Sequence, residues 1–154
     1  MEPDWHARFN ATHRAYRYVI INRRAGLTFD RGVALRVPVL LDASSMDRAA
    51  QALVGQHDFS TFRDTECQAK TPVKTLKKIN VARYGDGLEV TVEARSFLHK
   101  QVRSMVGSLV EVGRGARGED WIRQILEARK REECGPVAPP DGLFLERVEY
   151  GSLE

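Results

Sequence analysis

The sequence has little cysteine and no long apolar run, and these two absences remove whole classes of protein. Only Cys67 and Cys134 occur among the 154 residues, far apart and without CxxC or Cys/His spacing, which argues against a disulfide framework or a zinc site. Two reduced thiols in a cytoplasmic protein is the reading this supports. No stretch approaches the ~18 apolar residues of a membrane span, and the start, MEPDWHARF, has neither the apolar core of a signal peptide nor a transit-peptide pattern. Cofactor fingerprints are missing as well: there is no P-loop, no GxGxxG after a strand, no GxSxG and no HExxH. Nothing therefore calls for a nucleotide cofactor or a metal. Lysine is scarce beside arginine, and that scarcity points forward.

A composition of 42% hydrophobic and 29% charged residues is that of a globule with a real core, in a single domain over residues 1–154. The net charge is only +3, but the arginines gather in two places. Arg8, Arg14, Arg17, Arg23 and Arg24 lie near the start, and Arg95, Lys100, Arg103, Arg114 and Arg117 lie later. A planar, always-charged guanidinium suits phosphate oxygens and stacks on bases. A solvated surface is the alternative that charge alone leaves open.

Periodicity gives the elements. THRAYRYVII, Thr12 to Ile21, is rich in aromatic and β-branched residues, and Tyr16, Tyr18 and Ile20 share one face at the two-residue period, so a strand is expected. LDASSMDRAAQALVG offers Asp42, Ser44 or Ser45 as N-cap, an apolar stripe of Met46, Ala49, Ala50 and Leu53, and Gly55 as terminator. Gln56 to Pro72 is polar and aperiodic, a loop of the kind that carries function, with Phe59 and Phe62 pinning it to the body. TLKKINVARYGDGLEVTVEARS predicts a hairpin turning at Tyr84 to Gly87, where two glycines allow positive φ. FLHKQVRSMVGSLVEVGRG carries the stripe Val102, Met105, Val106, Leu109 and Val110, and Glu119 to Arg131 a second through Trp121, Ile122, Ile125 and Leu126. LFLERVEY reads as a last strand. The order strand, helix, hairpin, helix, helix, strand predicts an α/β sandwich of the α+β kind, a mainly antiparallel sheet with helices packed on one face.

Two groups of residues suggest chemistry. His99, Arg103 and Gly107 lie four apart and would share a helix face beside the apolar stripe. A glycine there lets a backbone or a ligand draw close. Arg103 could equally lie over the core by its stem or form a structural ion pair. On the strand, Tyr16 sits between Arg14 and Arg17, which offers an unstacked base a π-face and its phosphates cations. Tyr16 could also be a core aromatic, and for Tyr18 the core reading is preferred.

The blocks FNATHRAYRY, GQHDFSTFR, CQAKTPVKTL, SFLHKQVRSMVGSLVEVG and PPDGLFLERVEY, in this order from about Asp4 to Tyr150, closely resemble the C-terminal half of the tRNA pseudouridine synthase A family. The resemblance implies a ferredoxin-like half of an enzyme that isomerises uridine to pseudouridine in the anticodon arm of tRNA. It further implies that no cofactor or metal is used, that the enzyme is a cytoplasmic homodimer without membrane attachment, and that the target base is flipped out of its stack. By the same resemblance Tyr16 stacks on the uracil and can take part in removing its C5 proton. Arg103 pairs with a catalytic aspartate, and Leu143 lines the uracil pocket, where an ordinary core leucine is the alternative. Arg14, Arg17, His99 and Lys100 are the expected RNA contacts. The family's aspartate lies in a Gly-Arg-Thr-Asp block, and no such block occurs in this sequence. The chain is therefore expected to be inactive alone, either as a fragment or as a naturally short partner of another polypeptide. A stand-alone, non-catalytic RNA-binding or dimerisation module is the alternative.

Overall fold

The computed structural model describes residues 11–22, 34–64, 71–98 and 100–150. Strand β1 (Ala11–Ile21) is central, with β5 (Gly87–Ala94) antiparallel on one side and β6 (Leu143–Tyr150) antiparallel on the other. Strand β4 (Val73–Tyr84) pairs with β5, and the four-residue β3 (Gly55–Asp58) pairs with β4. The two-residue β2 (Leu35–Arg36) runs parallel to the end of β1. The described residues form three α-helices, α1 (Ala43–Ala50), α2 (Gln101–Gly113) and α3 (Asp120–Ala128). Reading only the main strands, β6, β1, β5 and β4 lie side by side as a split βαβ pair of crossovers, the ferredoxin-like arrangement.

One face of this sheet makes the core. Tyr18, Ile20, Leu88, Val90 and Val92 are fully buried, and they pack in one cluster with Met46, Met105 and Leu109 from the helices. Alternation puts Arg17, Glu89, Thr91 and Glu93 on the opposite face, which no described helix covers. The expected fold class is what the chain adopts.

Local chemistry explains most boundaries. Of the three candidate caps of α1, Asp42 is used: its carboxylate accepts from the Ser45 N–H at 3.1 Å. The β4–β5 hairpin turns through Gly85 at φ 63°, whereas Gly87 needs no positive φ. The predicted loop from Gln56 to Pro72 is only partly a loop. Its start, Gly55–Asp58, is strand β3, and Ser60–Phe62 is a 3-10 turn with Phe59 and Phe62 fully buried. Residues 65–70, with Cys67, lie outside the described residues, as do Arg8, Arg23 and Arg24. Helix α2 begins at Gln101, one residue before the apolar stripe, and the buried Gln101 carboxamide oxygen accepts from the Leu98 N–H at 2.8 Å. Among the described residues no helix is long and apolar enough to cross a membrane.

Candidate active site

Three pieces of chain meet above the N-terminal half of β1: the turn from Arg95 into α2, the first turn of α2, and a strap running from Cys134 to Gly142 into β6. The strap is irregular for a chemical reason. Pro136, Pro139 and Pro140 lack N–H donors and hold φ fixed, so they favour neither helix nor ladder. It is anchored instead by contacts to α2 and β1. The Gly135 N–H donates to Ser108 Oγ at 3.0 Å, and the Ala138 N–H to the Arg103 carbonyl at 3.0 Å. A Cβ placed on Gly107 would lie 1.6 Å from the Pro136 carbonyl oxygen. Gly107 is thus the position that lets a backbone draw close.

Arg103 is half-buried at the start of α2, and its Nε donates to the Ala138 carbonyl at 2.8 Å. Among the described residues no carboxylate forms an ion pair with it. Tyr18 is fully buried directly below, and its hydroxyl donates to the next carbonyl, that of Pro139, at 2.6 Å. Burial pushes the Tyr18 hydroxyl far above its ordinary pKa, and the nearby Arg103 guanidinium pulls it back only in part. The phenol therefore stays a donor throughout the physiological range. Tyr18 is a core aromatic, as expected, but its polar end also organises the strap. Strand alternation reported its burial and could not report its partner.

Tyr16 lies on the same face of β1, half-buried, and its ring meets Phe97 edge-on at a centroid distance of 5.4 Å and 79°. Its hydroxyl makes no hydrogen bond among the described residues. Leu143 opens β6 directly opposite Tyr18 and packs on the core cluster, while Leu145, opposite Tyr16, is 55% exposed. The strap and Leu143 thus meet at Tyr18, with Arg103 bonded to the strap, and Tyr16 lies two residues from Tyr18 on the same face of β1.

The expected RNA contacts divide. Arg14 shares the face of Tyr16 and donates to the Arg95 carbonyl at 2.7 Å. Lys100 stands in the turn before α2 with φ 62°, a left-handed conformation that costs a side-chain-bearing residue on the order of 1 kcal/mol, and its ammonium lies 3.4 Å from Asp64. Arg17 points to the opposite face. There it pairs with Glu146 at 3.0 Å and Glu89 at 3.5 Å and stacks over Phe144. The structure does not bring it to Tyr16. His99 lies outside the described residues. Among those residues no cluster of His, Cys, Asp and Glu could hold a metal.

A family model described as tRNA pseudouridine synthase matches residues 49–151. The chain belongs to the tRNA pseudouridine synthase family. Among its curated relatives, tRNA pseudouridine synthase A of Hyphomonas neptunium is 64% identical over 150 residues, covering 97% of this chain and 61% of that protein. The protein of the same name from Maricaulis maris is 59% identical over 147 residues, 96% of this chain and 59% of the relative. That of Rhodopseudomonas palustris strain HaA2 is 56% identical over the same length. The chain thus spans about three fifths of the length of the curated relatives it matches. The match includes Arg103, Gly107 and the whole strap. The family model begins beyond Tyr16, whereas the Hyphomonas match, at 97% of the chain, is long enough to take in β1.

Proposed function

We propose that this chain forms the C-terminal wall of a uridine-to-pseudouridine isomerase acting on the anticodon arm of tRNA, and that it is inactive alone. In that reaction the N1–C1′ glycosidic bond breaks, a C5–C1′ bond forms, C5 gives up its proton and N1 takes one up, so the net change is an isomerisation without redox. The observation that carries the reading is Arg103, half-buried, fixed through Nε to Ala138, and without a carboxylate partner among the described residues. An aspartate brought against its terminal amino groups would stay ionised in a site where desolvation alone would protonate it. Tyr16 supplies the ring against which the flipped uracil stacks, Leu143 an apolar wall, Arg14 and Lys100 cations for the phosphates, and His99 a further polar contact to the RNA. Arg17 is the weakest member of this set, since two glutamates already neutralise it. The same reading makes the working enzyme a cytoplasmic homodimer that needs neither metal nor cofactor.

The test uses an enzyme that carries this chain together with the aspartate-bearing half. Arg103→Ala should slow pseudouridine formation by at least about 100-fold, as for loss of a group acting only in the reacting complex, and leave the tRNA Kd within about twofold. A comparable loss of binding would make Arg103 a phosphate contact. The chain alone, given anticodon-arm RNA in a tritium-release assay, should show no turnover, and turnover would sink the proposal.

A further inference from the structure

The backbone carbonyl that holds the Arg103 side chain belongs to a strap that is itself held. Arg103 and Tyr18 come from different elements, α2 and β1, yet they hold consecutive carbonyls of one strap, Ala138 at 2.8 Å and Pro139 at 2.6 Å. With Nε committed to Ala138, the planar guanidinium can turn only as the strap turns. The strap is stiffened by Pro136, Pro139 and Pro140, and seated on α2 by the Pro136 carbonyl against Gly107. At its other end Gly142 lies against the Tyr18 ring, where an added Cβ would come within 2.8 Å of the ring edge. Tyr18 thus touches the strap twice, once through its hydroxyl and once through its ring, and it is wholly buried beneath it.

We propose that Tyr18 is a positioning residue: by holding the Pro139 carbonyl it fixes the neighbouring Ala138 carbonyl, and through it the direction in which Arg103 presents its terminal amino groups. This rests on the role given to Arg103 above, and extends it to a residue that touches neither base nor carboxylate. A purely structural tyrosine would predict something different. Its hydroxyl could be lost at a modest cost in stability, with Arg103 unmoved, because the ring alone fills the core.

Two readouts separate these cases. The first is the Arg103 Nε–H signal in a nitrogen-15 proton spectrum of this chain, assigned by its disappearance in Arg103→Lys. Tyr18→Phe should speed exchange of that proton about tenfold and shift its resonance, since its acceptor would no longer be held. The second is kinetic, in the enzyme with both halves: Tyr18→Phe should lower kcat about tenfold while the tRNA Kd stays within about twofold, the split expected when an interaction of the reacting complex is misaligned. Should the phenylalanine variant fail to give a folded spectrum, Pro139→Gly loosens the same link with both side chains intact and must show the same pair of changes. An unmoved Nε–H signal overturns the proposal, and so does an unchanged kcat alongside a moved one. If instead Arg103→Ala leaves the rate intact, the proposed function fails, while the Nε–H result still decides whether Tyr18 directs Arg103.

Discussion

Gly107→Ala is the substitution whose effect the geometry specifies most closely. The added methyl would sit 1.6 Å from the Pro136 carbonyl oxygen and 2.7 Å from its carbon. Ordinary contacts between non-bonded heavy atoms lie near 3.5 Å, so the strap must retreat by about 2 Å or the helix must shift by as much. Two residues along, Ala138 makes both of its bonds to Arg103, at 3.0 and 2.8 Å. A retreat of that size takes both beyond hydrogen-bonding range. Overpacking costs about 1–3 kcal/mol, and two lost hydrogen bonds about 1 kcal/mol each, a total of about 3–5 kcal/mol. For a domain of this size each kcal/mol lowers Tm by about 2–4 °C, so thermal unfolding followed by circular dichroism should show a drop of about 6–20 °C. Gly118→Ala is the matched control, because an added methyl there meets nothing within 4 Å. It should be neutral or stabilise by up to ~1 kcal/mol. If Gly107→Ala melts with the wild type, the strap is not seated as described, and the placement of Arg103 falls with it.

Tyr16→Phe keeps the edge-on contact with Phe97 and removes only the hydroxyl. In the enzyme with both halves it should bind tRNA within about twofold of wild type, and quenched reactions analysed by mass spectrometry should accumulate an enzyme–RNA adduct if that hydroxyl moves the C5 proton. An unchanged rate confines Tyr16 to stacking. Arg17→Ala should leave tRNA affinity nearly unchanged, whereas Arg14→Ala should lower the slope of log affinity against log salt by about one. Equal effects would mean that RNA reaches the open face of the sheet. Stability should fall in acid. Asp58 is desolvated, which raises its pKa, but the hydroxyl and N–H of Ser60 hold it below the usual carboxylate range; Ser45 does the same for Asp42, and Arg48 for Glu119. Folded values below the unfolded ones stabilise above about pH 4 and are lost as pH falls through the folded values. The urea midpoint should therefore be level from about pH 7 to 5 and decline below about 4. A variant combining Asp58→Asn with Glu119→Gln should decline less, and an undiminished acid slope in it would refute the assignment.

Where burial follows a period, the sequence carried the fold. Val102, Met105, Val106, Leu109 and Val110 recur on one side of a helix, and all five are buried in α2. Tyr18 and Ile20 alternate with residues of the open face and are buried in β1. Strand β3 escaped because Gly55, Gln56, His57 and Asp58 carry no apolar alternation, although they pair in register with β4. An edge strand of that kind has no side-chain signature. The candidate site was legible as residue types and not as an arrangement. Residue type and the resemblance name Tyr16, Arg103 and Leu143, and proximity in sequence sets Arg17 beside Tyr16, although neighbouring residues on a strand face opposite ways. The strap carries no periodic signal, because what holds it is a set of carbonyls, and every residue has one. Its sequence traces are its three prolines, which mark irregular backbone, and the glycine at 107, which leaves room for a close approach without naming the visitor.

The strap and β6 also set when the site can form during folding. Tyr18 and Pro139 are 121 residues apart in sequence, and the whole β1–β6 ladder joins equally distant stretches. Contacts of such separation carry the largest loop-closure cost and tend to form late. Helix α1 and the β4–β5 hairpin can order from nearby contacts, whereas Arg103 waits for the last strand to dock. On a ribosome this means that β1, with Tyr16 exposed, is made early and stays without its edge partner until β6 has emerged. Refolding probed at Tyr18 should accordingly lag refolding probed within the hairpin.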